Sequence, residues 1–272
     1  MKLRSLLTLA FAATCITTVV KALNPSAEYK VKPEKYGMTY KEEKIATKDG
    51  AMLNAWFFES PKGKTTNWMV VSGSGDGNMA DNIEIASQFL SIGWNVVLYD
   101  YRGYGASSAF AIDPETYIYP QFLEDLKAVL DHLRKSRAIT KFDLYGQNIG
   151  AGISIGVGCN RTETRKIIAD APWNGLENMK KRIKEKQGKD VIIPFGYDKT
   201  YEPIYACDKA RPHLKGVMVI VSAKDEMVSP ADMKPLVCKT NVYVVQGSSS
   251  NAENFSTDKN MYFEKVQKFL LN

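Results

Sequence analysis

Gly146-Gln147-Asn148-Ile149-Gly150 joins a short apolar run, Phe142 to Tyr145, to a stretch of small and β-branched residues ending at Gly158. A strand, a sharp turn and a glycine-rich helix start, in that order, lift one side chain above the end of a sheet, and the flanking glycines give the turn its room. The pattern expected there is G-x-S-x-G. Its serine attacks an acyl carbon while an imidazole takes the proton and a carboxylate fixes that imidazole. The apex here is Asn148. An amide nitrogen has its lone pair delocalised into the carbonyl, and the neutral side chain lacks the charge of an aspartate nucleophile. The spacing is that of acyl transfer; the attacking atom is gone.

The proton acceptor is also missing. The chain has only two histidines. His132 lies within a helix expected over 120–135, among Leu130, Leu133 and Arg134. His213, in Arg211-Pro212-His213-Leu214, precedes a strand at its N-terminal end, whereas catalytic groups gather at the C-terminal ends of parallel strands. Both are read as structural or solvated. Gly73-Ser74-Gly75-Asp76-Gly77 follows a strand but fits neither G-x-G-x-x-G nor a lysine-bearing phosphate loop. No cofactor is implied, and with no paired cysteine motif no metal site is either. Asn160-Arg161-Thr162 and Asn254-Phe255-Ser256 are glycosylation sequons, meaningful only in a secretory eukaryotic host.

The elements that must position these residues alternate. Glu42 to Thr47 and Met52 to Phe58 flank a Lys48-Asp49-Gly50 turn and form a β-hairpin. Strands are expected at 68–72, 94–100, 166–170, 216–222 and 241–246 besides the one before Asn148. Helices are expected at 81–92, 120–135, 177–189 and 258–271. The run Trp94 to Asp100 is apolar throughout, as in a strand buried on both faces, and Phe122, Leu126, Val129, Leu130 and Leu133 recur at helical spacing. The fold class is α/β, a mostly parallel sheet with helices on both faces, right-handed crossovers and the antiparallel hairpin at one edge. Residues 173–213 are a short insertion, carrying Lys180, Lys181, Arg182, Lys184 and Lys186.

The 272 residues, 44% hydrophobic and 24% charged, suit one large α/β domain. Residues 1–22 have a basic start, an apolar run and Val20-Lys21-Ala22, which reads as an export signal cleaved by an ordinary signal peptidase. A lipid attached at Cys15, or an uncleaved N-terminal membrane anchor, are the alternatives. The expected organisation is therefore a signal peptide over 1–22, an extended lead-in over 23–40 and one domain over 41–272, in an exported protein, periplasmic or secreted. The formal charge of +6 falls to +3 without Lys2, Arg4 and Lys21, too mild for nucleic acid. Cys159, Cys207 and Cys238 then remain; one bridge is allowed in an oxidising compartment, and buried small hydrophobe is the expected role of each.

This order of parts resembles the α/β-hydrolase superfamily, over nearly everything after Tyr40. Asp100-Tyr101-Arg102-Gly103-Tyr104-Gly105 with Ser107 is similar to the D-x-R-G-x-G-x-S turn after the family's fourth strand. Ser72-Gly73-Ser74-Gly75 stands where the family has its oxyanion loop, and Ser222 to Pro230 resembles the G-x-x-D-x-x-V-P segment that supplies the acid. The tyrosine-rich turn is similar to that of the serine-peptidase-like and acyl-thioesterase-like branch. The resemblance implies an eight-stranded sheet with a lid-like insertion. It places Asn148 at the nucleophile position, Asp225 at the acid position, and the backbone N–H groups of Ser74 and Ile149 at the oxyanion hole. The family's histidine lies after the last strand, where this chain has Gly247 to Asn254 and none. Glu253 is the residue nearest that place, with Ser249 to Asn251 the choices if the loop has grown.

Two functions follow as expectations. The first is a non-catalytic protein binding an acyl or peptide-like ligand or a protein partner. The second is an ester, thioester or peptide hydrolase with a displaced nucleophile at Ser74, Ser107 or Ser248 to Ser250. The basic run in the insertion reads as a solvated helix face; if it binds anything, an anionic membrane surface or an acidic ligand is the natural partner. Oligomeric state is not encoded in any motif.

Overall fold

The computed structural model describes residues 23–209 and 212–272. The expected signal over 1–22, Cys15 included, lies outside the described residues. Eight strands form the main sheet: β1 (Lys41–Ala46), β2 (Met52–Phe58), β3 (Trp68–Ser72), β4 (Asn95–Tyr99), β5 (Phe142–Gln147), β6 (Thr164–Asp170), β7 (Gly216–Ser222) and β8 (Asn241–Val245). Their spatial order is β8-β7-β6-β5-β3-β4-β2-β1. β2 runs antiparallel to both β1 and β4, and the other pairs are parallel. The hairpin at one edge and the parallel remainder are as the sequence predicts.

Helices α1 (Ile83–Ser91), α2 (Pro120–Arg137), α3 (Ile149–Cys159), α4 (Leu176–Gln187), α5 (Pro203–Asp208), α6 (Asn254–Thr257) and α7 (Lys259–Leu271) complete the chain. Strand alternation divides the core between them. Trp68 and Val70 of β3 pack with α2 and α3 on one face, whereas Met69 and Val71 pack with α1 and α7 on the other. α2 starts with Pro120 at its first turn, where the missing N–H is not needed. α7 starts on Asp258, whose carboxylate accepts the Met261 N–H at 2.9 Å. Every residue of α3 is buried, which explains its small side chains: sheet, α2 and α5 crowd it from all sides.

The lead-in departs from its expected extended form. Asn24 and Pro25 pair in parallel with Asp76 and Gly77, and Pro33–Tyr36 is a 3-10 turn. Side-chain anchoring drives this, since Asn24 Nδ2 donates to Asp76 at 2.8 Å and Asn78 Nδ2 donates to the Glu28 carbonyl at 2.7 Å.

Candidate functional site

The turn between β5 and α3 puts Asn148 at φ 48° and ψ −111°, a backbone conformation that side chains rarely adopt. Its N–H donates to the Asp170 carbonyl at 2.8 Å, and its carbonyl accepts the N–H groups of Ala151 and Gly152 at 3.1 and 3.2 Å. A Cβ at Gly146 would stand 2.2 Å from the Gly150 carbonyl oxygen, and one at Gly150 would stand 2.4 Å from the oxygens of Ser72 and Gly73. Only glycine fits at either flank. The strained turn has been kept around a side chain that cannot attack. Asn148 is half-buried, and its Nδ2 reaches the Ser74 carbonyl at 3.4 Å. Among the described residues, the N–H groups of Ser74 and Ile149 donate to no protein acceptor, as an oxyanion hole requires.

Asp225 holds two loops together. Its Oδ1 accepts the N–H groups of Met227 and Val228, and its Oδ2 accepts the N–H of Asn251, each at 2.8 Å. Asn251 in turn donates from Nδ2 to the Val228 carbonyl at 2.8 Å and accepts the Ser222 N–H at 2.6 Å. Glu253 is not the residue facing the acid. It is exposed, and its Oε2 accepts the Ser249 hydroxyl at 2.5 Å and the Ser249 N–H at 3.2 Å, contacts that hold its carboxyl below the usual range. The residue that meets Asp225 is Asn251, through its backbone N–H, while Glu253 at the end of the same 3-10 turn is exposed.

Beneath the turn lies a buried polar network that ties these parts together. Asp170, at the end of β6, accepts Asn254 Nδ2 and the Tyr262 hydroxyl, both at 2.7 Å. The Tyr262 hydroxyl also meets that of Tyr145 at 2.9 Å, and Asn254 reaches Asn251 and Ser248 at 3.2 and 3.1 Å. Burial pushes the Asp170 carboxyl up to about 7, opposed by the hydrogen bonds from Asn254 and Tyr262. A continuous path therefore runs from the Asn148 N–H through Asp170, Asn254 and Asn251 to Asp225, with no imidazole in it. Asn254 is buried, with 1% exposure, so the sequon at this position is closed in the folded chain.

Neither histidine approaches the turn. His132 Nε2 contacts Glu43 at 2.8 Å on the hairpin side, and His213 Nε2 contacts the Arg161 carbonyl at 2.7 Å below the N-terminal ends of the strands. The candidate displaced serines have structural partners. The Ser107 hydroxyl donates to the Asp100 carbonyl at 2.9 Å, and the Ser248 hydroxyl is buried on Val245 and Asn254. Ser74 Oγ accepts the Asp76 N–H at 3.3 Å. The tyrosine-rich turn is likewise built for rigidity. Asp100 accepts the Met79 N–H at 2.7 Å and the Tyr29 hydroxyl, and Arg102 binds Asp125 and Asp49 at 2.6 Å each.

The insertion supplies one wall of a cavity of about 240 Å³. Trp173, Asn174, Asn178 and Arg182 line it on that side, and Met227 and Val228 of the acid loop face them. Trp173 lies directly on the first turn of α3, where a Cβ at Gly152 would meet its Nε1 at 2.0 Å. Asn148 is not part of the lining. Of the three cysteines, Cys159 is the free, buried hydrophobe expected, whereas Cys207 and Cys238 form the one bridge that the composition allowed.

A family model described as serine aminopeptidase, S33 matches residues 68–192, the stretch from β3 through the turn into the insertion. Among solved structures, an esterase of Pyrococcus furiosus superposes with a TM-score of 0.72 at 18% identity, covering 91% of this chain and 97% of that one. A predicted hydrolase of Thermoplasma acidophilum gives 0.57 at 17% identity over 86% and 99%. The chain has the α/β-hydrolase fold. Curated relatives within this superfamily-sized similarity include the α/β-hydrolase domain-containing protein WAV2 of Arabidopsis thaliana, 26% identical over 79% of this chain and 71% of that protein. The uncharacterized protein YfhR of Salmonella typhimurium is 29% identical over 98% and 94%. The chain keeps the sheet and the strained strand–turn–helix junction of that fold, with Asn148 at its apex.

Sequence reasoning missed Asp170, Asn251, Asn254 and Tyr262 as one network. A signal was present in Lys166-Ile167-Ile168-Ala169-Asp170, where a single carboxylate ends an apolar strand. A charge at the end of a buried strand requires partners, and polar residues in the last loop were the ones available to supply them.

Proposed function

We propose that this α/β-hydrolase-fold protein is a non-catalytic binder, exported, that holds a small acyl or peptide-like ligand in the cavity between the insertion and the acid loop. The observation that carries the reading is what stands at the two positions: Asn148 at the apex, its amide donating to the Ser74 carbonyl, and the backbone N–H of Asn251 on the Asp225 carboxylate, with no imidazole between them. Acyl transfer needs an attacking atom, a proton acceptor and a device orienting that acceptor. This chain supplies neither of the first two, and its acid accepts three backbone N–H groups. Binding needs less. Asn174 and Asn178 offer amide donors and acceptors, Arg182 a cation, and Trp173 and Met227 apolar contact, a mixture suited to a short polar chain with a carbonyl or carboxylate.

The test is a fluorophosphonate probe together with p-nitrophenyl ester turnover. The expected result is no covalent labelling and no rate above buffer. Specific labelling lost on substituting Ser74, Ser107 or one of Ser248 to Ser250 would overturn the proposal in favour of a displaced nucleophile.

A further inference from the structure

Three sulfurs meet where the turn helix, the insertion and the acid-side segment come together. Cys159 ends α3, Cys207 lies in α5, and Cys238 follows the 3-10 turn Pro230–Met233. Cys207 and Cys238 form the bridge and Cys159 is a free thiol, yet the sulfur atoms of all three lie within 4.8 Å of one another. Their surroundings differ. Cys159 and Cys207 are buried at 0% and 3% exposure, whereas Cys238 is half-buried and reaches solvent. α3 lies close against the insertion, since a Cβ at Gly156 would stand 2.1 Å from the Tyr201 carbonyl oxygen. A link between α3 and α5 therefore asks for side-chain movement rather than a new packing of helices.

Exchange proceeds by attack of a thiolate on one sulfur of a disulfide, and the other sulfur leaves as a thiolate. Attack by Cys159 on Cys238 would expel Cys207 into the apolar core, where an anion has no solvation. Attack on Cys207 expels Cys238 toward water. We infer that Cys159, Cys207 and Cys238 form an internal thiol–disulfide exchange site, in which Cys159 Sγ displaces Cys238 from Cys207 and delivers a reactive thiol beside the acid loop, open to alkylating electrophiles and small disulfides. The Cys159 S–H bond and the Cys207–Cys238 bond break, a Cys159–Cys207 bond forms, and the proton ends on Cys238 or in solvent. No oxidant or reductant is consumed. Burial pushes the Cys159 thiol up to about 12, so the step is slow at neutral pH and accelerates in alkali. Its structural consequence falls on the cavity, because the present bridge ties the insertion to the segment beyond Asp232 and Met233, and exchange releases that tie.

The experiment is site-resolved alkylation of the native, unreduced protein with iodoacetamide at mildly alkaline pH, followed by non-reducing peptide mapping, which separates Cys15 from the other three. Label on Cys238 together with a Cys159–Cys207 linked peptide is expected. In Cys159→Ser that label is lost while the Cys207–Cys238 link persists. Cys238→Ser is expected to form the Cys159–Cys207 link on air oxidation. An intact Cys207–Cys238 link with Cys238 unlabelled, over a time in which the unfolded chain labels fully at Cys159, would overturn the inference. That comparison stands on the wild-type chain and Cys159→Ser alone if Cys238→Ser does not fold.

Discussion

At the scale of single residues, the vacated site sets how activity could return. Asn148→Ser restores a hydroxyl at a backbone conformation already shaped for it, but no base lies within reach, since both histidines contact groups elsewhere. Triad members act as a unit, so one restored member yields little. We expect Asn148→Ser to leave p-nitrophenyl acetate hydrolysis at the buffer rate. Asn148→Ser with Asn251→His is expected to raise it by at least about tenfold, because the backbone of residue 251 lies against Asp225. Full activity in the single variant would mean that a base has been misplaced. Asp170 gives a second prediction at this scale. Its carboxyl is ordinarily at 3.8 and is raised to about 7 in the fold by burial, among Tyr145, Tyr262 and Asn254. A raised carboxyl binds its proton more tightly when folded, so its contribution to stability is fully present below 3.8 and is lost as pH rises through about 7. Asp170→Asn should remove that fall. Urea unfolding of the wild type at pH 4, 5.5 and 7.5, compared with the variant, checks it. The expected differential is on the order of 4 kcal/mol at most, and parallel profiles would refute it.

Elements explain both what was legible and what was not. The eight strands, the hairpin edge and the turn at Asn148 could be read because each has a local signature: alternation, apolar runs, or glycines that sterics demand. Gly150 carries the clearest prediction. A methyl there would collide with the carbonyls of Ser72 and Gly73 at 2.4 Å, which belong to backbone and cannot rotate away. Gly150→Ala should therefore separate α3 from β3 and cost about 3 kcal/mol or more in thermal or urea unfolding. Gly188→Ala, where no atom lies within 4 Å of the added Cβ, provides a comparison confined to the cost of its left-handed backbone. Loss of stability no larger at 150 than at 188 would show that the contact between α3 and β3 is looser than described. The histidine loop was the illegible part. Nothing in Gly247-Ser248-Ser249-Ser250-Asn251-Ala252-Glu253-Asn254 marks which residue turns inward, because that choice is made by Asp225 and Asp170 from distant strands. Counting back from α7 lands on Glu253, whereas the contact with Asp225 is made two residues earlier, by the Asn251 N–H that opens the 3-10 turn. Which cysteines would form the one allowed bridge was illegible for a similar reason: Cys207 and Cys238 are 31 residues apart, and their proximity is a property of the tertiary fold.

On the scale of the whole molecule, the question is whether the basic insertion gives this α/β-hydrolase-fold protein an attraction for anionic surfaces. The sequence places five cations on one short helix and reads them as a solvated face, with an anionic surface as the alternative partner. The structure pairs them locally. Lys180 and Lys184 share Asp190 at 3.6 and 3.0 Å, Lys181 meets Glu185 at 3.8 Å, Lys186 meets Glu226 at 2.9 Å, and Arg182 meets Asp232 at 2.9 Å. Exposed pairs of this kind add little to stability. Their effect on the surroundings is larger, because opposite charges a few ångströms apart act as dipoles whose fields fade well inside the screening length of about 8 Å in physiological salt. Taken from Leu23 onward, the chain carries a net charge of only +3 (6 − 3 for Lys2, Arg4 and Lys21). We expect it to remain in the supernatant when sedimented with phosphatidylserine-containing vesicles at physiological salt, and to gain at most weak retention at low salt. Asp190→Asn with Glu226→Gln frees three lysines of this helix, Lys180, Lys184 and Lys186, and should increase vesicle binding several-fold at low salt, an increase that salt abolishes. Strong binding by the unaltered chain at physiological salt would mean that the pairs open in solution and that α4 presents its cations outward.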